Sequence, residues 1–261
     1  MCTVTFIPRK TSYLVGMNRD EKLTRVRGVP PSQRVIAGRR VIYPSEPSGG
    51  TWVSLNDAGV TFALINWYSV LAKPNGKVTS RGEIIPTICA APNPQIVSRQ
   101  LVALPLQSIR PFRLIGLFQS SRQIKEWQWN LKTIIEKDWE WQPRQWISSG
   151  FDEPTAQKIR SRTFRRYRSQ TSCGTIDWLR RLHRSHHPVS GAFSTCVHRA
   201  DAATVSYTEI SVSVSQILLR YIGNSPCQSS DSDTLQIDAS VQELRTSILL
   251  DELNVTSALI L

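Results

Sequence analysis

The sequence predicts an α+β chain built on antiparallel sheets. Three observations carry the prediction: short alternating strands flank turn signals near the N-terminus, a tryptophan-rich stretch alternates with the same period near the middle, and two segments of helical spacing follow it. Thr3-Val4-Thr5-Phe6-Ile7 alternates apolar and polar positions, Pro8 to Lys10 supply a turn, and Tyr13-Leu14-Val15-Gly16-Met17 returns. This reads as a hairpin that holds the first residues in a sheet. Lys22 to Pro47 reads as a basic, proline-bearing loop. A second hairpin, TWVSL and VTFALIN, closes around Asn56-Asp57-Ala58-Gly59, because Asn, Asp and Gly accept the backbone angles of tight reversals.

Pro94 to Leu104 has helical apolar spacing, and Pro111 to Phe118 reads as a buried strand. WQWNLKTIIEKDWEWQPRQW supplies two more strands, with Trp127 and Trp129 on one face and Trp139 and Trp141 on another. Sheet packing is the expected role of these indoles, an aromatic ligand platform the alternative. Glu153 to Arg168 and Thr175 to Arg184 read as helices, the second with Thr175 as N-cap and Asp177 near the positive end of its dipole. Strands resume at FSTCVHR, TVSYTEISVSV and QILLRYIG. A polar tail follows from Gln228 and ends in the amphipathic QELRTSILLDEL and the apolar ALIL, which either pack on the body or stay mobile. The expected organisation is one domain over residues 1–227 and a tail over 228–261.

With 261 residues, 40% of them hydrophobic, the chain can bury a sizeable core. No run of apolar residues is long enough to span a bilayer, and MCTVTFIPRK lacks the pattern of a signal peptide, so the protein is expected to be soluble and cytoplasmic. A net charge of +12 favours anionic partners. Much of the excess lies between Lys158 and Arg184, where a solvated helix face is the plain reading. Nucleic acid is disfavoured as a partner, since only Phe164, Tyr167 and Trp178 accompany those arginines as aromatics. Five cysteines form no CxxC pair, which argues against a disulfide framework or a zinc site. In His183-Arg184-Ser185-His186-His187, helical spacing would gather three imidazoles. Pro188 ends the helix there, no acidic ligand is near and arginines oppose a cation, so no metal and no cofactor are expected.

Chemistry concentrates at the start of the chain. Ordinary removal of Met1 before a small residue exposes Cys2 with a free α-amine, so nucleophile and base share one residue. The reference pKa values of amine and thiol, near 8 and about 8.5, require only modest tuning. The returning strand ends in Gly16-Met17-Asn18-Arg19-Asp20-Glu21, beside the first strand. A carboxylate there can hold the amine, and Arg19 can hold that carboxylate or bind an anionic substrate; an ordinary turn with a surface ion pair is the alternative.

MCTVTF, GMNRDE and SGGTWVSLNDAGVTFALIN together resemble the NRDE family, also called the transport and Golgi organisation family. Ser80 to Glu83 (SRGE), Trp146 to Pro154 (WISSGFDEP) and Ser194 to Ser206 (STCVHRADAATVS) follow in the same order, so the resemblance covers roughly residues 1–227. More distantly the chain is similar to the N-terminal nucleophile (Ntn) hydrolases of the bile-salt hydrolase and penicillin V acylase type. That implies a four-layer αββα sandwich, with Cys2 as nucleophile on a non-peptide amide. Alignment on Gly16 matches Asn18 and Asp20 to those enzymes' Asn and Asp, and implies that Asp20 orients the amine. Met17 falls where they have arginine, and Arg19 points to the opposite face from its neighbours in a regular strand. Asn66 matches an oxyanion asparagine.

The expected catalytic residues are thus Cys2, Asp20 and Asn66, with Asn18, Arg19, His198 and Arg199 as substrate-binding candidates. For His198, Arg199 and Thr204, on presumed core strands, a structural hydrogen-bond cluster is the other reading. The implied function is hydrolysis or acyl transfer on a small amide or thioester that carries a carbonyl and an anionic group. The alternative is an inactive Ntn scaffold that binds or traffics a small or lipid-like molecule.

Overall fold

The computed structural model describes residues 2–229 and 231–237. The amphipathic 242–253 segment and the terminal ALIL lie outside the described residues.

The chain opens with β1 (Cys2–Pro8) and β2 (Ser12–Lys22), the expected hairpin. The basic segment that reads as a loop is instead a second hairpin, β3 (Val29–Ile36) and β4 (Arg39–Ser45). Its turn is Ala37-Gly38 with both residues at positive φ, 48° and 79°. Tight hairpins demand that geometry, but Ala enters it at a steric cost, so the usual Asn-Gly signal is missing. Pro30 and Pro31 are tolerated because β3 is an edge strand. The next hairpin is β5 (Val53–Asn56) and β6 (Val60–Asn66), as expected. Helices α1 (Ile84–Ile88) and α2 (Pro94–Val102) then lead to β7 (Phe112–Phe118).

The tryptophan-rich region contributes to three strands rather than two: β8 (Gln123–Trp129), β9 (Ile134–Trp139) and β10 (Arg144–Ser148). Helices α3 (Glu153–Arg168) and α4 (Ile176–Arg184) follow, α4 capped by Thr175, whose hydroxyl accepts from the Trp178 amide at 3.1 Å. FSTCVHR is not a strand. Residues 185–201 run as irregular chain with isolated bridges at Val197 and His198. Strands β11 (Ala202–Ser213), β12 (Ile217–Ile222) and β13 (Asp233–Ile237) complete the described chain, β13 drawing part of the polar tail into the sheet.

These strands form two antiparallel sheets, ordered β10-β1-β2-β11-β12-β13 and β3-β4-β5-β6-β7-β8-β9. Val4, Phe6, Val15 and Met17 of the first meet Leu55, Ala63, Ile65 and Ile115 of the second in an inner core. Outside the first sheet, Ile7 and Leu14 pack on Phe164, Trp178, Leu179 and Leu182 of α3 and α4. Outside the second, Phe62 and Leu114 pack on Ile84, Ile88, Val97 and Leu101 of α1 and α2. The architecture is therefore an α+β sandwich of two antiparallel sheets with helices on both outer faces. Trp127 and Trp129 are buried against α1 and α2, and Trp139 and Trp141 pack on the inner core.

Two polar groups buried between the sheets, Tyr13 and Glu126, are paired. Tyr13 on β2 donates across to the Gly59 carbonyl at 2.9 Å and meets Thr61 Oγ1 at 2.8 Å. Glu126, fully buried, accepts from Arg113 at 2.6 Å, from Gln128 at 2.9 Å and from the indoles of Trp139 and Trp146 at 2.7 and 3.2 Å. Burial acts to raise its pKa, but Arg113 and these donors outweigh it and hold the carboxylate below its ordinary range.

Helix α4 sits close on β2 because Gly16 has no side chain: a Cβ there would lie 2.7 Å from His183 Nε2. His183 is fully buried, bonded through Nδ1 to Asn18 Oδ1 and through Nε2 to Thr5 Oγ1, each at 3.0 Å. The ring is held at both ends and cannot yield, so Gly16→Ala is expected to destabilise the fold by about 1–3 kcal/mol, read from the urea midpoint. Burial lowers the His183 pKa to about 3. The unfolded chain therefore binds a proton that the folded chain refuses between about pH 6.5 and 3. Stability from this residue is present above that window and is lost as pH falls through it, with a slope of up to ~1.4 kcal/mol per pH unit. His183→Gln should flatten the slope in urea titrations across the window; an unchanged slope would show that the ring does not carry it.

Candidate active site

Cys2 is the first residue of the interior strand β1, paired with Arg19 of β2 on one side and Ser148 of β10 on the other. Residues directly opposite in an antiparallel pair share a face, so the Cys2 and Arg19 side chains point the same way, into the gap between the sheets. There they line a cavity of about 450 Å³ with Asn66 at the end of β6 and Tyr68 beyond it, Thr51 and Trp52 before β5, and Ser80, Arg81 and Gly82 from the SRGE segment. The two glycine-bearing loops touch: a Cβ on Gly50 would come within 3.1 Å of the Gly82 backbone. Backbone contact of this kind forms the rim and accounts for glycine in both SGGT and SRGE.

Arg19 is 5% exposed, bonds Glu46 at 2.8 Å and stacks 4.3 Å above the Trp52 ring. Arg25 joins the same Glu46 at 2.8 Å. Asn66 donates its amide to the Tyr68 hydroxyl at 2.6 Å. Five basic residues, Arg19, Lys22, Arg25, Arg81 and Arg110, line the cavity against two acidic ones, Glu21 and Glu46. Burial lowers the Arg81 pKa, with Arg110 adding to the effect.

The Cys2 nitrogen donates to Ser148 Oγ at 3.1 Å. With Met1 in place this atom is a peptide nitrogen, and it marks where the α-amine of the processed chain would lie. Burial raises the Cys2 thiol above its ordinary value; Asp20 and Glu21 add to the rise, and Arg19 opposes it.

Asn18 and Asp20 face the other way, toward the helices. Asn18 donates to the carbonyls of His183 and Thr195 at 2.9 and 2.8 Å, in addition to its contact with the His183 ring. Asp20 accepts from Thr204 Oγ1 at 2.7 Å and pairs with the fully buried Arg160 of α3 at 3.4 Å, while Arg160 also donates to Thr3 at 2.8 Å. The tetrapeptide Asn18-Arg19-Asp20-Glu21 is thus divided by the pleat: Arg19 and Glu21 line the cavity, and Asn18 and Asp20 do not. His198 and Arg199 lie elsewhere again, lining a neighbouring hollow of about 320 Å³ that shares Arg19, Glu21, Lys22 and Arg25 with the first. Arg199 pairs with Asp201 at 2.8 Å and stacks on Phe151.

Of the sequence candidates, the cavity brings together Cys2, Arg19 and Asn66. Sequence reasoning missed Ser148, Glu46, Tyr68 and Arg81. Ser148 and Arg81 sit inside WISSGFDEP and SRGE, strings that carry the family resemblance, and this is the signal that points to them.

A sandwich of two antiparallel sheets between helices, with the chain's first strand inside one sheet and the Cys2 thiol in a cavity between the two, is the fold of the N-terminal nucleophile hydrolases. Penicillin V acylase from Agrobacterium tumefaciens superposes with a TM-score of 0.53 at 12% identity, over 94% of this chain and 88% of that one. A mutant of conjugated bile acid hydrolase from Clostridium perfringens gives 0.53 at 9% identity, over 91% of this chain and 92% of that one. A second variant of the same hydrolase gives 0.54 at 8% identity, with the same coverage. Within that fold, residues 1–163 match the family described as Transport and Golgi organisation 2, and the chain belongs to that family. No curated protein matches the chain in sequence. No described helix is long and apolar enough to cross a membrane.

If the α-amine tunes the thiol, its positive charge on the same residue lowers the Cys2 pKa once Met1 is gone. Iodoacetamide alkylation of Cys2, followed by peptide mass across a pH series, should then rise at lower pH in the processed protein than in a form with an uncleavable N-terminal extension. Coincident profiles would mean that the amine does not act on the thiol.

Proposed function

We propose that the protein is an acyl-transfer enzyme in which Cys2, exposed by removal of Met1, attacks the carbonyl of a small amide or thioester. The observation that carries this reading is the Cys2 side chain in the wall of a 450 Å³ cavity, with Asn66 lining the same space from the opposite sheet. The α-amine takes the thiol proton as sulfur adds to the carbonyl carbon, then returns it to the departing amine or thiol; water or an acceptor amine releases the acyl group. The role assigned to Asn66 is donation to the developing oxyanion. Ser148 holds the nitrogen, and Asp20, whose charge reaches Cys2, favours the ammonium form. The excess of basic side chains suits a substrate with an anionic group, Arg81 standing ready at the rim. A cytoplasmic location belongs to the same proposal, since a reduced thiol persists there.

A second reading, an Ntn scaffold that binds a ligand without turnover, is favoured by Met17. This residue is 1% exposed in the inner core, where the amidases that the chain resembles have arginine. The two readings separate in one experiment. Screening small acyl amides and thioesters with an anionic group should find turnover that Cys2→Ala abolishes and that Asn66→Ala slows about 100-fold in kcat. Turnover unchanged in Cys2→Ala would remove Cys2 from the chemistry. Saturable binding with no turnover, equal in wild type and Cys2→Ala, would establish the scaffold.

A further inference from the structure

Beyond the cavity, the irregular 185–201 segment and the turn after β12 bring four side chains to one point. The ligand atoms of His186, Cys196, His198 and Cys227 all lie within 4.8 Å of one another. We propose that these four residues bind a zinc ion in a closed, structural site. His198 Nε2 stands 3.2 Å from Cys227 Sγ and 3.6 Å from Cys196 Sγ. Tetrahedral zinc, with Zn–S of about 2.3 Å and Zn–N of about 2.0–2.1 Å, requires nitrogen–sulfur separations of roughly 3.6 Å. The His186 ring meets that of His198 at 4.9 Å between centroids, completing a two-sulfur, two-nitrogen set.

Soft thiolates combined with imidazoles in tetrahedral array select zinc among the common divalent ions. Both cysteines are free. Ser225 Oγ lies 3.3 Å from Cys196 Sγ and 3.2 Å from Cys227 Sγ, placed to donate to a ligating sulfur. His186 is solvent-exposed, which gives an ion access. Two thiolates neutralise a divalent ion, so the arginines that argue against a cation in the sequence do not oppose this one. The geometry also accounts for an otherwise unusual length of chain. Residues 185–201 contain no helix or strand, yet they position the Thr195 carbonyl on Asn18, and their Val197 amide donates at 2.8 Å to the hydroxyl of Thr204, the partner of Asp20. A metal joining this segment to Cys227 would fix it at the point where β2 needs it.

The test uses the full chain, reduced and stripped of metal, titrated with Co(II) and then Zn(II). One Co(II) per chain with tetrahedral thiolate-to-cobalt absorption, displaced by zinc, is expected. Zinc should also shield Cys196 and Cys227 from alkylation, as peptide mapping would show, while Cys173 keeps its reactivity. Cys227→Ser and His198→Ala should weaken binding by more than about 100-fold, and Cys89→Ser and Cys173→Ser should leave it unchanged. Absence of the thiolate bands in folded wild type, or zinc that shields neither Cys196 nor Cys227, would overturn the proposal. So would a Cys196–Cys227 disulfide in protein purified without reductant, if the reduced form takes up no metal.

Discussion

The antiparallel register that sets Cys2 opposite Arg19 and Val4 opposite Met17 governs the rest of the molecule. Because side chains alternate across a strand, this one pairing decides the face of every residue in β1 and β2. Met17, Arg19 and Glu21 go to the space between the sheets, and Gly16, Asn18 and Asp20 go to the helices. A slip by one residue would exchange the two sets, exposing Met17 to α4 and burying Asp20 in the inner core. The interactions that prevent the slip lie on the helix side. The His183 ring fits over Gly16 and bonds both Asn18 and Thr5, so α4 reads the register of both strands at once.

Charge follows the same division. A chain with a net charge of +12 would be expected to spread its arginines over solvent, yet several of those on the helices turn inward. Arg160 lies fully buried between α3 and β2, and Arg180 grips the buried Glu209 through two bonds of 2.8 Å. Arg113 serves Glu126 between the layers, and Arg19 and Arg25 share Glu46 at the cavity. Each of these buried charges has an opposite one within reach, as desolvation requires. The fold thus uses part of the basic excess internally and leaves Arg81, Arg110 and Lys22 as additional cationic groups around the Cys2 cavity.

The long stretch between α4 and β11 has a comparable role on the far side of β2. It supplies the carbonyl that Asn18 needs and the amide that steadies Thr204, so the orientation of Asn18 and Asp20 depends on an irregular segment. Such a segment needs fastening, and the His186, Cys196, His198 and Cys227 cluster lies at its two ends and at the turn that follows β12.

Local pattern made much of the fold legible: the first hairpin, β5 and β6, α2, β7, α3, α4, β11 and β12 all announce themselves by alternation, helical spacing or caps. It failed at β3 and β4, where an Ala-Gly turn at positive φ replaces the usual signal, and at FSTCVHR, whose alternating residues serve a loop with its own polar contacts. By itself the sequence determined the α+β class, the family and the N-terminal cysteine as the residue to watch, because these rest on periodicity and short strings. Only the tertiary structure decided that Arg19 rather than Asp20 shares the Cys2 face, that Ser148 meets its nitrogen, and that residues 186 and 227 meet. Those facts depend on strand register and on contacts between segments far apart in the chain, which no local spacing encodes.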